Sequence, residues 1–253
     1  MRIATFNILS GRSPDDDVVD EQRFADAVRT LDADVLGLQE VDRNQPRSQH
    51  ADLTAVAAEA MGAREHRFVA ALAGTPGTTW SAATGEEQPD SAAYGVALLS
   101  RYPVLGWSVV RLPPLPVPTP FWFHGRRRPE WVRDEPRVAV VAQIETPAGR
   151  LSVANTHLSF LRGWNGRQLR VLLRALHEQP DPLVLLGDLN MTGSPAGRIT
   201  GMRPLVEGRT FPASRPAEQI DHILARGALE GVGGPVRLPM SDHLALAVEI
   251  ADT

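Results

Sequence analysis

The sequence of 253 residues contains no cysteine and no lysine, and each absence excludes a kind of chemistry. Without cysteine there are no disulfides and no thiolate metal sites, so a metal ion would need oxygen or imidazole ligands, which favours a hard cation. All 26 residues in the Lys and Arg class are arginines. The absence of lysine excludes the lysine of a P-loop, Schiff-base chemistry and a lysine nucleophile.

The sequence also lacks a long apolar run. No segment has the roughly 18 consecutive apolar residues of a membrane-spanning helix. A strand-like segment begins at Ile3, which leaves no space for a signal peptide. We therefore expect a cytoplasmic protein with no transmembrane segment. The net charge of -4 provides no general attraction for nucleic acid, so a polyanion would have to bind at a local basic patch.

The periodicity of apolar residues predicts a mixed fold. With 43% hydrophobic residues the chain is able to bury a large core, and we expect residues 1–253 to form one domain. Helical stripes occur at residues 24–31, 53–61 and 169–176. The strand-like runs are residues 3–9, 35–39, 95–99, 104–110, 137–144, 151–156, 183–186, 219–224 and 244–250. Because several strands follow one another between the second and third helices, the pattern favours an α+β layered sandwich over βαβ alternation.

Two stretches have the composition of irregular structure. Residues 74–93 are rich in Gly, Thr, Ser and Pro, and residues 112–136 contain seven prolines. The second stretch combines aromatic and basic side chains, namely Phe121, Trp122, Phe123 and Trp131 beside Arg126, Arg127, Arg128 and Arg133. These side chains would suit stacking on nucleic-acid bases or contact with lipid, and packing against the body of the fold is an equally open alternative.

Polar side chains recur where strand-like runs end, and a buried strand would hold them in fixed directions. The segment Gly187-Asp188-Leu189-Asn190 follows the apolar run 183–186. The other such residues are Asn7, Glu40, His157, Asp221, His222, Asp242 and His243. Each alone is more typical of a turn or a helix cap. Together, carboxylates, amides and imidazoles are the groups that activate water near a divalent cation and stabilise an oxyanion.

Seven short motifs contain these residues. They are Thr5-Phe6-Asn7-Ile8-Leu9, Leu38-Gln39-Glu40-Val41-Asp42, the segment Tyr94 to Arg101, Asn155-Thr156-His157-Leu158, Gly187-Asp188-Leu189-Asn190, Ile220-Asp221-His222 and Ser241-Asp242-His243. In this order they resemble the endonuclease/exonuclease/phosphatase superfamily, and the resemblance extends over residues 3–250. It implies an α/β four-layer sandwich, in which two mixed β-sheets pack face to face and are flanked by helices. The active site would lie at one edge of the sheets.

The resemblance also implies which residues bind metal and substrate. Glu40 is expected to bind Mg²⁺ or Mn²⁺, with Asn7 and Asp242 near it, since such cations need few protein ligands and prefer oxygen. Arg137, at the start of a strand, matches an arginine that the superfamily places near the site. Tyr94, in the third motif, is expected to contact the substrate.

The remaining roles concern the attacking water and the phosphate. By the resemblance, His243, oriented by Asp221, is either the general base or a partner of the phosphate, with Asp188 as the base in the second case. Asn190 and His157 are expected to donate hydrogen bonds to phosphoryl oxygens during direct in-line hydrolysis. No covalent intermediate is needed.

Two further features are interpreted as structural. Asp15-Asp16-Asp17 precedes a helix and is more typical of a solvated loop than of a metal site. His222 follows Asp221 directly, so on a strand it would point to the opposite face.

Departures from particular branches bear on the substrate. The abasic-site repair branch typically has Tyr-Val-Pro-Asn and Trp-Thr-Tyr elements where this sequence has Asn155 to Leu158 and Thr210 to Ala213. The segment Asn155 to Leu158 looks more like that of the branches that contain pancreatic-type deoxyribonucleases, neutral sphingomyelinases and inositol-phosphate phosphatases. Our first hypothesis is a phosphodiesterase acting on nucleic acid. The second is a phosphodiesterase or phosphatase for a lipid headgroup or small molecule, and the third is a catalytically silent interaction domain.

Overall fold

The computed structural model describes residues 1–122, 126–192 and 195–251, so Phe123 lies outside the described residues. The described strands are β1 (Arg2–Asn7), β2 (Val35–Arg43), β3 (Glu65–Ala73), β4 (Ser81–Ala82), β5 (Ala93–Ser100), β6 (Val104–Leu112), β7 (Thr119–Phe121), β8 (Glu130–Val132), β9 (Arg137–Thr146), β10 (Gly149–His157), β11 (Leu183–Asp188), β12 (Arg203–Pro204), β13 (Asp221–Arg226), β14 (Gly231–Val236) and β15 (Ala245–Ile250). The α-helices are α1 (Glu21–Leu31), α2 (Leu53–Met61), α3 (Trp164–Ala175) and α4 (Pro195–Thr200).

The helices begin and end where local chemistry favours it. The Asp20 carboxylate caps α1 by accepting a hydrogen bond from the Arg23 amide, and Asp52 caps α2 in the same way. Gly62 ends α2 in the left-handed conformation, with φ 67°. No helix among residues 1–122, 126–192 and 195–251 combines the length and the apolarity needed to cross a bilayer.

Two mixed sheets form the body of the molecule. One has the strand order β14-β15-β1-β2-β5-β3-β4 and the other β12-β13-β11-β10-β9-β6, while β7 and β8 form a separate hairpin. One apolar core lies between the two sheets and contains Ile3 and Leu186. Two outer cores pack α1 and α2 on the first sheet, and α3 and α4 on the second. The expected four-layer sandwich is therefore confirmed.

Strand direction brings the motif residues to one edge of the sandwich. The strands β1 and β2 run parallel, as do β10 and β11, so the carboxyl ends within each pair coincide. The antiparallel strand β13 begins at the same edge, because its first residue Asp221 pairs with Asp188, which in turn pairs with His157. A hydrogen bond from Asn7 to Asp188 joins this edge across the two sheets.

The sequence did not predict strands β3, β12 and β14 or helix α4. Strand β14 has the sequence Gly-Val-Gly-Gly-Pro-Val, which is poor in strand-forming residues and is tolerated because β14 lies at a sheet edge. Strand β3 has exposed charged residues in its first half. The stretch at 74–93 contains the short strand β4, and that at 112–136 contains β7 and β8.

Candidate active site

Asp188 is buried at the edge of the sandwich where Asn7, Glu40, His157, Asp221 and His243 also lie, here called the catalytic edge after the role that the sequence motifs predict. Its Oδ1 accepts a hydrogen bond of 2.9 Å from the Asn190 amide, and its Oδ2 accepts one of 3.1 Å from Asn7 Nδ2. Burial raises the pKa of Asp188 to about 7, and the neighbouring carboxylate of Asp221 acts in the same direction. This carboxyl group is therefore able to gain or lose a proton near neutral pH.

His243 and Asp221 form a buried pair beside Asp188. Nδ1 of His243 donates to Asp221 Oδ2 at 2.9 Å, and its Nε2 lies 3.9 Å from Asp188 Oδ2. Burial alone would lower the pKa of His243, but Asp221 and then Asp188 favour the charged imidazolium and raise the pKa to about 10. Ser241 holds the segment before His243 against the end of β1, because its Oγ donates to the Asn7 carbonyl and accepts from the His243 amide.

His157 faces the same space from strand β10. Its Nδ1 lies 3.2 Å from Nη1 of the buried Arg137. Because a guanidinium donates and cannot accept, Nδ1 is the acceptor and Nε2 carries the hydrogen of the neutral ring. Burial and then the charge of Arg137 lower the pKa of His157 well below its usual value, which keeps the ring neutral. Nε2 lies 3.5 Å from Asp188 Oδ2, which accepts from it, and 3.2 Å from Asn190 Nδ2, which in this tautomer is a contact between two donors and not a hydrogen bond.

Asn7 connects Glu40 with the residues around Asp188. Its Nδ2 donates to Glu40 Oε1 at 3.1 Å as well as to Asp188 Oδ2. Burial raises the pKa of Glu40, and the charge of Asp242 acts in the same direction. Asp242 is partly exposed, next to His243, whose pKa it also raises. The structure thus joins Glu40 and Asp188 through Asn7, and the charge of Asp242 acts on Glu40.

Three residues of this edge have left-handed backbone conformations, with φ of 55° at Glu40, 50° at Asn190 and 64° at Ser241. Such conformations are uncommon for residues with a side chain and cluster at functional sites. Glu40 lies where the register of β2 against β5 shifts, between Leu38 and Val41. The shift is a β-bulge, which redirects the Glu40 side chain toward the catalytic edge.

A sequence model of the endonuclease/exonuclease/phosphatase family matches residues 4–243. The chain belongs to this family. Members of the family are phosphoester-hydrolysing enzymes, and this protein is a phosphoesterase of the same class. A comparison with curated proteins found no match.

Solved structures with the same fold come from several bacteria. A family protein from Beutenbergia cavernae DSM 12333 is 25% identical with a TM-score of 0.66, covering 99% of this chain and 71% of that one. A mannosyl-6-phosphatase from Bacteroides thetaiotaomicron VPI-5482 is 16% identical with a TM-score of 0.68, over 99% of each chain. Sphingomyelinase C from Streptomyces griseocarneus is 16% identical with a TM-score of 0.65, over 98% of each chain. Their names cover two substrate types, so the nucleic-acid hypothesis is not confirmed by these comparisons.

Enzymes of the family depend on divalent metal ions, and the acidic residues at this edge fit such an ion. One candidate donor group is Asp188, Asp221 and His243, whose ligand atoms lie within 4.8 Å of one another. Oδ1 of Asp221 is buried without a hydrogen-bond partner, as expected for an atom that a cation would satisfy. Glu40 contributes a further carboxylate to this edge, and its Oε1 accepts a hydrogen bond from Asn7. Oxygen donors of this kind suit Mg²⁺ or Mn²⁺.

Tyr94 and Arg137 form one wall of the site. Tyr94 is buried, and burial followed by the charge of Glu40 raises its pKa well above the usual value, so the phenol stays neutral. Its ring packs against Trp80 at a centroid distance of 5.7 Å. Nε1 of Trp80 donates to Glu135, whose other carboxylate oxygen lies 3.6 Å from Arg137 Nη2. The two residues therefore belong to one packed wall.

Sequence reasoning missed the role of Asn155. This residue is fully buried, and its Nδ2 crosses from β10 to the other sheet, where it donates to the carbonyls of Leu38 at 2.9 Å and Ala97 at 2.8 Å. Its Oδ1 accepts from Gln39 Nε2 at 2.6 Å. These carbonyls belong to the last residue pair before the bulge that contains Glu40. The motif position of Asn155 was visible in the sequence, but its cross-sheet partners were not.

Phe211 was also missed, although its ring centroid lies 4.9 Å from that of His243. His222 was interpreted as structural, and its Nε2 lies 2.8 Å from the Met191 carbonyl, on the far side of β13 from Asp221. The acidic run at residues 15–17 is exposed, as expected of a solvated loop.

Proposed function

We propose that the protein is a divalent-metal-dependent phosphodiesterase that uses in-line attack by water, with nucleic acid as the first candidate substrate. The observation that supports this most strongly is the position of Asp188, which contacts Asn7, Asn190 and both histidines of the catalytic edge. A carboxylate, an imidazolium, a neutral imidazole and an amide then surround one space. These are the groups needed to orient water and stabilise a phosphorane-like transition state.

The metal would be held by Glu40, which Asn7 positions, with Asp242 near it. When bound, such an ion neutralises charge on the phosphate. The carboxylates of Asp188 and Asp221 offer further oxygen donors at the same edge, whereas the protonated His243 has no lone pair for a cation.

The pKa shifts support Asp188 as the general base. His243, with a pKa of about 10, is protonated at neutral pH and has no lone pair on Nε2 with which to accept a proton. Asp188, with a pKa of about 7, is matched to proton exchange at that pH. We therefore assign proton removal from water to Asp188 and electrostatic contact with the phosphate to His243, which Asp221 keeps charged and oriented.

The phosphoryl oxygens would be stabilised by His157 and Asn190. Nε2 of His157 carries a hydrogen because Arg137 occupies Nδ1, and this hydrogen faces the space next to Asp188. Asn190 Nδ2 is held in place by its bond to the Leu158 carbonyl, at 3.0 Å. Both donors are fixed before the reaction, which avoids reorganisation as charge develops.

The β7–β8 hairpin supports nucleic acid as the first candidate. Trp122 and Trp131 are 63% and 75% exposed, and arginines 126–128 and 133 beside them are also exposed. Exposed rings next to guanidiniums suit base stacking and phosphate contact. The hairpin lies close to the site, since Phe121 of β7 packs on Phe160, three residues after His157.

A direct test is hydrolysis of plasmid DNA, RNA, sphingomyelin and bis(p-nitrophenyl) phosphate with Mn²⁺, Mg²⁺ or EDTA. We expect metal-dependent cleavage, and Asp188→Asn should lower kcat by roughly 10²- to 10⁴-fold, as for a lost general base. The matched control is Asp15→Asn, because Asp15 lies in the exposed acidic loop. Failure to hydrolyse any of the four substrates would favour the silent interaction domain, and near-normal rates for Asp188→Asn would remove it as the base.

A further inference from the structure

A cavity of about 510 Å³ adjoins the active site, and the chemistry proposed above does not use it. Its lining includes Asn190 of the site and Phe211, whose ring packs on His243. Cavities of this size typically hold one small organic ligand. The part of a substrate that continues beyond the phosphate would therefore enter this cavity.

Three aromatic rings line the cavity. Phe121 and Phe160 meet edge to face, with centroids 5.0 Å apart and an angle of 77° between the ring planes, and Phe211 is the third. The packing of Phe121 on Phe160 gives this part of the cavity wall an aromatic surface. Such surfaces favour flat or ring-shaped groups over flexible chains.

Two guanidinium groups give the cavity a positive charge. Arg162 and Arg170 line it, and both are exposed. Among the residues that the structure describes, no carboxylate forms an ion pair with either of them, and Glu218 is the one acidic residue in the lining. Arg170 Nη1 donates to the Gly166 carbonyl, which orients the side chain and leaves its other N–H groups for a ligand.

We propose that this cavity, here called the ring pocket (Phe121, Phe160, Arg162, Arg170 and Phe211), binds a ring-bearing group that carries a second anionic group. This inference rests on the proposed function, because the ring pocket receives the substrate of the same site. Two sources share the chemistry: a nucleotide unit with its neighbouring phosphate, and a phosphorylated sugar. A choline headgroup is disfavoured, since its quaternary ammonium would meet two guanidiniums.

The test is equilibrium binding in EDTA, measured by isothermal titration calorimetry. Because His243 and Arg137 at the catalytic edge are also cationic, the share of phosphate binding that belongs to the ring pocket is measured by the double variant described below. We expect thymidine 5′-monophosphate to bind about 10- to 100-fold more tightly than thymidine, as for a hydrogen-bonded charged group. Glucose 6-phosphate and glucose form the second arm, and the arm with the tighter binding identifies the source.

The double variant Arg162→Gln/Arg170→Gln should bring the ratio of phosphorylated to unphosphorylated affinity close to one. The control is Arg174→Gln, an exposed arginine on the same helix as Arg170 that does not line the cavity, and it should keep the wild-type ratio. Equal or undetectable binding of the phosphorylated and plain probes in both arms would overturn the proposal. A double variant that keeps the wild-type ratio would overturn it as well.

The outcomes separate this inference from the proposed function. Binding that depends on Arg162 and Arg170, in a protein that hydrolyses no phosphoester with Mn²⁺ or Mg²⁺, would retain the ring pocket and reject the proposed function. Metal-dependent hydrolysis without any preference for phosphorylated probes would retain the proposed function and reject the ring pocket.

Discussion

Gly187 lies immediately before Asp188 and allows two strands to approach closely. Its φ is 135°, and a Cβ built at this position would lie 1.9 Å from the Thr156 carbonyl oxygen of the neighbouring strand. The next residue pair along the two strands is His157 and Asp188. The contact between the side chains of His157 and Asp188 therefore depends on the absence of a side chain one residue earlier.

Replacing Gly187 by Ala should destabilise the protein by at least about 1–3 kcal/mol, because both the backbone strain and the clash with Thr156 oppose folding. The midpoint of urea unfolding, followed by circular dichroism, measures the effect. Gly106→Ala is the matched control, since a Cβ at this strand glycine meets nothing within 4 Å. Equal midpoints for the two variants would show that β10 and β11 separate at little cost.

His157 gives the folding stability a defined dependence on pH. Its pKa is lowered in the folded state, so below its usual value of about 6.5 the unfolded chain binds a proton that the folded protein does not. Stability therefore falls as pH drops below about 6.5, by at most about 1.4 kcal/mol per pH unit from this residue.

Urea midpoints at pH 7.5 and 5.5, measured in EDTA, should show a smaller loss for His157→Asn than for the wild type. His222 has the same direction of shift but is present in both proteins, so it cancels in the comparison. The same loss in both proteins would mean that His157 is protonated when folded.

The bulge in strand β2 depends on the opposite sheet. Asn155 donates to the carbonyls of Leu38 and Ala97, which form the last pair before the register shift that directs Glu40 to the site. A buried amide in one strand thus stabilises an irregularity in a different sheet. A buried carbonyl without a donor is costly, which is why the bulge and the amide form one unit.

Asn155→Leu keeps the number and branching of the side-chain heavy atoms but removes these bonds, so we expect a destabilisation of about 1–3 kcal/mol for each buried group left without a partner. Mn²⁺ affinity, measured by calorimetry, should fall as well, because Glu40 loses its support. Gln143→Leu on β9 is the control, since its amide donates to another side chain, Gln179, and, among the residues that the structure describes, bonds to no carbonyl of the other sheet. Unchanged Mn²⁺ affinity in Asn155→Leu would show that the Asn155 amide does not support the position of Glu40.

The elements that sequence reasoning predicted well are those with both faces buried. Leu183 to Leu186 of β11 form an unbroken apolar run because one face meets the central core and the other meets α3. Edge strand β14 has no such constraint, and its glycines concealed it. In the site, strand ends predicted Asp188 and His243, whereas the packing of Phe211 and the bonds of Asn155 require contacts between distant segments that no local pattern encodes.

Charge is distributed unevenly over the molecule. The net charge is -4, yet the β7–β8 hairpin has exposed Arg127 and Arg128 close to the catalytic edge. Such a local patch is able to attract a polyanion that the rest of the surface repels. The uneven distribution makes salt dependence an informative measurement.

If nucleic acid binds here, Arg127→Gln/Arg128→Gln should reduce the slope of log affinity against log salt by about 1.4 for a single-stranded oligonucleotide, from roughly 0.7 per phosphate contact. Fluorescence anisotropy between 50 and 200 mM salt, about the range over which such effects are large, gives this slope. Arg64→Gln/Arg150→Gln is the control, because both arginines are exposed near the amino-terminal ends of β3 and β10, at the opposite edge. Equal slopes in the two double variants would remove the hairpin as a phosphate-binding surface.

The hydrogen bond from Asn7 to Asp188 crosses the seam between the two sheets, since Asn7 ends β1 and Asp188 ends β11. The same nitrogen also holds Glu40. The catalytic edge is therefore built from both sheets rather than from either one alone. If one sheet were displaced over the other by a single residue, about 3.3 Å, this hydrogen bond would break while every strand ladder stayed intact. The proposed active site therefore depends on the alignment of the two sheets, separately from whether each sheet is folded.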